Sequence, residues 1–330
     1  MRLVLSVLAV LLALPAAAAE LVVYTARSEP LIKPVFDRYT ELTGTKVQFL
    51  TDKEAPLLAR LMAEGANTPA DILMTVDAGN LWQAAEQGTL SPLDSDVLRT
   101  NIPAHLRDPQ DRWFGFSIRA RTLIYNTDQM QPAQLSTYAA LAQPEWKGKL
   151  CLRTSQKVYN QSLVAQLIAA NGMEATEQLV RGWIANLAAA PFASDDEVIQ
   201  AVASGRCAVG LVNTYYFGRQ KRDNPKLPVA LFWADQGEGQ AGVHVNVSGA
   251  GLTRHAKHPE EARKFLEWLS TGEAQAMFAQ LNLEFPANPA VPADAEVQAW
   301  GPFRQNTLNV AEAGRLQAEA VKLMDRAGYR

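Results

Sequence analysis

Short apolar runs alternate with helical patterns along the first part of the chain. An apolar run at 21–24 is followed at 30–43 by apolar residues spaced three or four positions apart, and Gly44 ends this segment. The series continues with apolar runs at 47–50 and 71–74 and helical patterns at 56–65 and 80–88. Buried strands that alternate with helices of this length are typical of a parallel sheet in an α/β layer.

A second set of strand patterns begins near residue 113, with a long β-like run at 113–126 and loop-like sequence at 129–144. We predict further strands at 147–155, 207–212 and 243–252, and helices at 161–171, 176–187, 195–204, 259–269, 272–281 and 310–327. A chain of 330 residues is more often two domains than one. The order of the elements therefore predicts two α/β lobes, between which the chain crosses at least twice.

Residues 1–19 have the pattern of a secretory signal. Arg2 supplies a positive charge, residues 3–14 are apolar, and Pro15 precedes four alanines, which predicts cleavage before Glu20. The apolar run is shorter than the roughly 20 residues that a membrane-spanning helix needs. We therefore expect an exported protein of the periplasm of a Gram-negative bacterium, without membrane insertion.

Charge and cysteine content narrow the function classes. The net charge is −3, with 31 basic and 34 acidic residues, and such a mildly acidic mixture gives no footprint for nucleic acid or anionic lipid. Cys151 and Cys207 are the only cysteines. In an oxidising compartment an even count favours a disulfide. The alternative is two buried thiols that behave as small apolar side chains.

Four tyrosines follow or end predicted strands: Tyr24, Tyr159, Tyr215 and Tyr216. In an open α/β sheet, ligands bind beyond the carboxyl ends of the strands. A phenol has a pKa of about 10, so only a strongly charged cation holds it as phenolate, and anionic oxygen donors suit Fe(III) better than copper or zinc. The sequence therefore indicates a ferric site, with ordinary aromatic packing of these tyrosines as the alternative.

Two arginines and one glutamate are further candidate site residues. Arg119 and Arg121 lie two positions apart on a predicted strand, so their side chains point to the same face. They either lie on a solvated surface or form a planar clamp for a carboxylate, carbonate or phosphate. Glu54, just before a predicted helix, either caps that helix or faces a cleft.

Sequence signatures of enzymes are absent or out of context. Residues 237–242 fit G-x-G-x-x-G, but they precede a strand and not a helix, so we interpret them as a loop. The sequence contains no G-x-S-x-G or H-E-x-x-H motif, and its four histidines are scattered. We therefore predict a binding protein and not an enzyme.

Several segments together resemble the periplasmic ferric-iron-binding proteins of bacterial ABC transporters. They are VVYTARSE, TPADILMTVDAGNLWQAAEQGTL, RARTLIYN, WKGKLCLRTSQKVYNQSLVAQLI, GRCAVGLVNTYYFGR and VHVNVSGAGLTRHAKHPEEARKFLEWL, and the resemblance covers about residues 20–290. It implies a two-lobed type II periplasmic binding protein fold, with a hinge and an interlobe cleft. The lobes would comprise residues 20–118 plus 246–296, and residues 119–245 plus 297–330.

The resemblance also implies a ligand set. Tyrosinates of Tyr159, Tyr215 and Tyr216 would hold one Fe(III) ion together with a synergistic carbonate or other anion. Arg119 or Arg121 would bind that anion, and Asn213 and backbone N–H groups around Ser155 would support it. Both cysteines would fall in one lobe on neighbouring β segments, which is compatible with a bridge.

The first lobe departs from the pattern of that family. Some members carry a histidine ligand where this chain has Ser28, and others a tyrosine where it has Glu29. A glutamate that some members use aligns with Glu54, so Glu54 or Glu29 would be an optional ligand. The protein implied is a monomeric carrier that captures Fe(III) and delivers it to an inner-membrane ABC permease. The same cleft could instead bind an organic anion or a polyamine.

Overall fold

The computed structural model describes residues 20–330, so the predicted signal segment lies outside the described residues. In this range the strands are β1 (Glu20–Thr25), β2 (Lys46–Thr51), β3 (Ile72–Val76), β4 (Phe114–Asn126), β5 (Leu150–Cys151), β6 (Val209–Asn213), β7 (Val229–Phe232), β8 (Val245–Leu252) and β9 (Phe285–Pro286). The α-helices are α1 (Glu29–Thr43), α2 (Glu54–Glu64), α3 (Ala78–Glu86), α4 (Asp96–Asn101), α5 (Val158–Asn171), α6 (Met173–Ala185), α7 (Asp195–Ala203), α8 (Thr214–Asp223), α9 (Pro259–Leu269), α10 (Gly272–Asn282), α11 (Ala295–Gln298), α12 (Glu312–Arg315) and α13 (Gln317–Arg326).

Strand β4 connects two parts of one mixed sheet, whose order is β2-β1-β3-β8-β4-β6-β5, with β7 and β9 also on β4. Its first half, up to Ala120, pairs with β8, whereas its second half, from Arg121, pairs with β6 and β7. Every residue of β4 is buried, because other elements cover it on both faces. The long β-like run in the sequence is therefore one strand that is buried along its whole length.

The buried apolar side chains divide into two main clusters along the same line. One cluster is built on β1, β3, α3 and the first half of β4, as far as Ala120. The other begins at Leu123 and contains side chains of α5, α6, β6 and α13. The molecule therefore has two lobes, each with its own core, and β4 passes from one to the other.

The cysteines lie in the second of these lobes. Cys151 of β5 and Cys207 form a disulfide with a Cα–Cα distance of 5.9 Å, within the usual range of about 4.4–6.8 Å. Strand β5 pairs in parallel with β6, which begins two residues after Cys207. The predicted disulfide is confirmed, and residues 237–242 form the loop that their context predicted.

Helix α8 is the main element that the sequence patterns missed. The predicted strand at 207–212 continues directly into a helix at Thr214, although Tyr215, Tyr216 and Phe217 are weak helix formers. Gly218 follows them, and glycine is a residue type more typical of turns than of helices. In the structure a Cβ on Gly218 would lie 2.6 Å from the ring of Trp300, so glycine here permits close packing within a helix.

Two further predictions were wrong in extent. The helix predicted at 310–327 is divided into α12 and α13 at Leu316; α12 packs against both α3 of the first lobe and α5 of the second, whereas α13 packs against α5. The strand predicted at 147–155 is only Leu150–Cys151, since the chain then turns into α5, which begins earlier than expected.

Candidate metal centre

Two helices of the second lobe begin with the candidate phenols. Tyr159 is the second residue of α5, and Tyr215 and Tyr216 are the second and third residues of α8. The N-terminal end of a helix carries a partial positive charge that favours an anion close to its first turn. Both helix ends therefore favour the phenolate form of these side chains.

The three phenols meet in one place. The Tyr215 hydroxyl donates a hydrogen bond of 3.3 Å to the Tyr159 hydroxyl, and the ring centroids of Tyr215 and Tyr216 are 4.4 Å apart. Tyr159 and Tyr215 are buried, whereas Tyr216 is half-buried. The structure thus brings together three phenols that are separated by up to 57 positions in the chain.

Burial decides the protonation of this cluster in the absence of a metal. It raises the pKa of Tyr159 to about 12, against the opposing influence of Arg119. Burial also raises the pKa of Tyr215 well above its usual value of 10. Both phenols are therefore neutral near pH 7, and a cation of high charge is needed to displace their protons.

Arg119 lies directly beside the phenols. Its guanidinium carbon is 5.3 Å from the centroid of the Tyr159 ring, and its Nη2 donates to the carbonyl oxygen of Val247 at 2.9 Å. Its Nε atom is buried and has no hydrogen-bond partner among residues 20–330. Burial alone would lower the pKa of Arg119, but Tyr159, Tyr215 and nearby carboxylates outweigh it and raise this pKa. Arg119 is therefore a permanent cation with a spare donor.

Arg121 has a different environment, although it is two residues away on the same strand. It is also buried, but its Nη1 contacts Asp195 and Asn213 at 3.1 Å each, and its Nη2 donates to the Leu211 carbonyl at 3.1 Å. Neither arginine is solvated, so the exposed-surface interpretation was wrong. Arg121 is held by Asp195, so of the two arginines it is Arg119 that faces the phenols.

A cavity of about 510 Å³ extends from the phenols to the first lobe. The charged residues that line it are Arg27, Asp52, Lys53, Glu54, Arg119, Lys157, Arg219 and Glu284. Lys157 lies 4.7 Å from the centroid of the Tyr159 ring, and the Arg219 guanidinium lies 5.1 Å from that of Tyr215. Among the described residues that line this cleft, the first lobe supplies carboxylates and cations but neither tyrosine nor histidine.

The other predicted site residues are distributed unevenly. Glu54 lines the cleft as the first residue of α2, whereas Glu29 is exposed in a separate depression with Lys33 and Asp37. Ser155 and Asn213 are not among the residues that line the cleft. The grouping of Tyr24 with the other phenols was wrong, because its hydroxyl points elsewhere and donates to Glu64 at 2.9 Å.

The sequence patterns missed a buried ion pair on the first-lobe side of the cleft. Arg27 Nη2 lies 3.1 Å from Glu284 Oε2, and Ser117 also donates to that carboxylate. Both charged side chains are almost fully buried and line the cleft. Arg27 follows β1, so the rule on carboxyl ends of strands that selected the tyrosines could have found it.

The fold and the cleft define a two-lobed solute-binding protein. Residues 35–305 match the model of the bacterial extracellular solute-binding protein family, and the chain belongs to this family. Its structural neighbours are type II periplasmic binding proteins, which confirms the predicted fold class.

More specific similarities point to ferric-iron-binding members. The chain is 41% identical to Iron uptake protein A1 of Synechocystis sp., over 96% of this chain and 89% of that protein. The structure of Trichodesmium IdiA (FutA) in complex with iron and citrate has 42% identity and a TM-score of 0.91, covering 94% of this chain and 100% of that one. Ferric iron-binding protein A of Mannheimia haemolytica, in an open conformation, has 33% identity and a TM-score of 0.88, with 94% and 99% covered. The resemblance found in the sequence is thereby confirmed.

Proposed function

We propose that this protein captures Fe(III) in the periplasm and delivers it to an inner-membrane ABC permease, without catalysing a reaction. The observation that carries the proposal is the convergence of Tyr159, Tyr215 and Tyr216 beside Arg119 in the interlobe cleft. The iron-binding relatives described above, which match nearly the whole chain, support the same conclusion.

In this proposal the three phenolates offset the three positive charges of Fe(III). An anion beside Arg119 completes the coordination, since the Arg119 Nε has no other partner within residues 20–330. Carbonate is the anion that we favour, and citrate accompanies iron in the Trichodesmium structure. Glu54 is the optional ligand from the first lobe, because it lines the cleft and Glu29 does not. Exclusion of water between the lobes strengthens these interactions.

The lobe boundaries and the assembly are part of the proposal. We propose lobes of residues 20–118 plus 246–296 and of residues 119–245 plus 297–330. The division of the core between Ala120 and Leu123 supports the first crossing, near residue 119. No helix within residues 20–330 is long and apolar enough to cross a membrane. We propose a periplasmic monomer, whose permease partner receives the iron.

The test is the visible spectrum of metal-stripped protein during loading with iron. Ferrous salt oxidised by CO2-free oxygen in carbonate-free buffer supplies Fe(III) without a chelator, and bicarbonate or citrate is then added separately. Tyrosinate bound to Fe(III) gives a broad charge-transfer band. A band that needs bicarbonate supports carbonate, and a band that appears only with citrate supports a polycarboxylate. A band with neither supports a site that Glu54 completes.

A colourless protein under all three conditions would refute the ferric proposal. One observation would then favour an organic anion as the solute: five cations line the cleft against three carboxylates. This excess of cations disfavours a polyamine. Thermal stabilisation of the colourless protein by a carboxylate or phosphate compound would support that second function, since a ligand that binds the folded state raises the melting temperature.

A further inference from the structure

A buried carboxylate connects the two lobes behind the cleft. Asp77 follows β3, caps the start of α3 and is fully buried. The φ angle of Asp77 is 97°, a backbone conformation that residues other than glycine rarely adopt. The surrounding contacts must hold the backbone of Asp77 in this conformation. Nothing in the proposed iron chemistry uses this side chain directly.

The partners of Asp77 come from both lobes. The Ser162 hydroxyl lies 2.9 Å from each carboxylate oxygen, Asn246 Nδ2 donates to Oδ2 at 2.9 Å, and the Gly79 amide donates to Oδ1 at 2.9 Å. Gly79 is in α3, which packs in the first core, whereas Ser162 is in α5, whose neighbouring residue Leu163 packs in the second. The bond between Asp77 and Ser162 therefore spans the lobes.

We propose that Asp77 is a positioning residue of the metal centre, which anchors the helix that carries Tyr159 to the first lobe through Ser162. This inference rests on the proposed ferric function. Ser162 follows Tyr159 by three residues in the same helix, so the two side chains are fixed relative to each other. An anchor at Ser162 is thus an anchor for the Tyr159 phenol, one turn away.

The relative orientation of the lobes explains why this anchor affects affinity. The cleft is lined by residues of both lobes, so the complete site exists only while the lobes keep the orientation seen here. A hydrogen bond that forms between the lobes in this orientation stabilises it against others. Loss of the bond lowers the population of the competent state, and the apparent affinity for iron falls by the same factor.

The charge of Asp77 acts on the same site. Its carboxylate, like that of Glu284, raises the pKa of Arg119 and so favours the charged form of this side chain. Burying a carboxylate is costly unless hydrogen bonds compensate it, and the bonds from Ser162, Asn246 and Gly79 supply that compensation. An apolar side chain would pack here at lower cost, but it could not accept the hydrogen bond from Ser162 of α5.

The experiment is a double-mutant cycle with Ser162→Ala and Asp77→Asn, in the full mature protein. Ferric affinity is measured by competition with nitrilotriacetate at fixed bicarbonate, and the tyrosinate band is recorded for each variant. We expect each single variant to bind iron at least tenfold more weakly, with a shifted band. The double variant should be no weaker than the weaker single variant, because both changes act on the same bond: Ser162→Ala removes it, and the uncharged amide of Asp77→Asn weakens it.

A control separates positioning from general stability. Thr176→Val removes a buried hydroxyl from α6 of the same lobe, where it donates to the Gly172 carbonyl at 2.8 Å. This variant should lose thermal stability but keep the affinity and the band of the wild type. If Asp77→Asn does not fold, the iron affinity and the band of Ser162→Ala alone decide whether the anchor positions Tyr159.

The outcomes distinguish the two proposals. A wild-type protein that shows no band with iron overturns the ferric function, and the role of Asp77 with it. If the wild type shows the normal band, two results would overturn only the role of Asp77. The first is that Ser162→Ala binds iron within twofold of the wild type. The second is that the losses of affinity in the double-mutant cycle are fully additive.

Discussion

Replacement of one phenol tests the metal centre most directly. Tyr215→Phe removes a single hydroxyl from a side chain that is 6% exposed and lies between Tyr159, Tyr216 and Arg219. In the metal-free protein the change removes a 3.3 Å hydrogen bond to Tyr159. Such a bond contributes about 1 kcal/mol net, so we expect the metal-free protein to fold with nearly unchanged stability.

The effect on iron binding should be much larger. Two unit charges 4 Å apart interact by about 4 kcal/mol at an effective dielectric constant of about 20, and a ligand lies closer than this to its metal. A water molecule or hydroxide that takes the vacated position recovers part of that energy. We therefore expect at least a tenfold loss of affinity, or about 1.4 kcal/mol, for Tyr215→Phe and likewise for Tyr216→Phe.

The assay is competition for Fe(III) against nitrilotriacetate at pH 7 and fixed bicarbonate, with the charge-transfer band as the second measurement. The matched control is Tyr125→Phe, because Tyr125 is 8% exposed and belongs to β4 outside the cleft. The control should bind iron like the wild type. Wild-type affinity and an unchanged band in both Tyr215→Phe and Tyr216→Phe would refute the assignment of these residues as ligands.

Three further predictions concern other parts of the molecule. Glu54→Gln should weaken iron binding in the same competition assay and Glu29→Gln should not, because of these two glutamates only Glu54 lines the cleft. Equal iron affinities of the two variants would remove Glu54 from the ligand set. Replacing both Cys151 and Cys207 by serine should lower the free energy of unfolding by about 4 kcal/mol, because the disulfide closes a loop between residues 56 positions apart and so limits the entropy of the unfolded chain. A urea titration that shows an unchanged free energy of unfolding would contradict this prediction. Burial raises the pKa of Asp77 from 3.8 to about 6, so the folded chain holds a proton that the unfolded chain has already lost between these pH values. Stability should therefore fall as the pH rises from about 4 to about 6, by up to about 3 kcal/mol from this group, and a denaturation series should show a smaller fall in Asp77→Asn.

Local patterns predicted those parts of the fold that depend on local physics. The amphipathic segment Pro259–Leu269 begins with proline and two glutamates, and the helix has the same bounds in the structure. The cleft position of Tyr159, Tyr215 and Tyr216 followed from the rule that parallel strands present their carboxyl ends to ligands. The helix is decided by interactions within a few residues, whereas the strand-end rule depends on the sheet and placed Tyr24 wrongly.

The remaining features depend on contacts between distant positions. Alternation along a strand predicted that Arg119 and Arg121 share a face, but Asp195 pairs with Arg121, 74 positions away. The partner of Arg27 is Glu284, 257 positions along the chain. No local pattern contains such information, so the sequence could not decide which of the two arginines on β4 faces the phenols.

The distribution of charge in the cleft indicates how the site is completed. Three phenolates neutralise Fe(III), so loading with iron alone leaves the excess of cations unchanged. Arg27 is already paired with Glu284, which concentrates this excess on Arg119, Lys157 and Arg219, all on the second-lobe side beside the phenols. An anion bound there would occupy coordination positions beside the tyrosines, and the first-lobe residues that line the cleft would close the site from the other side. We therefore expect Glu54→Gln to keep the tyrosinate colour even though its affinity falls.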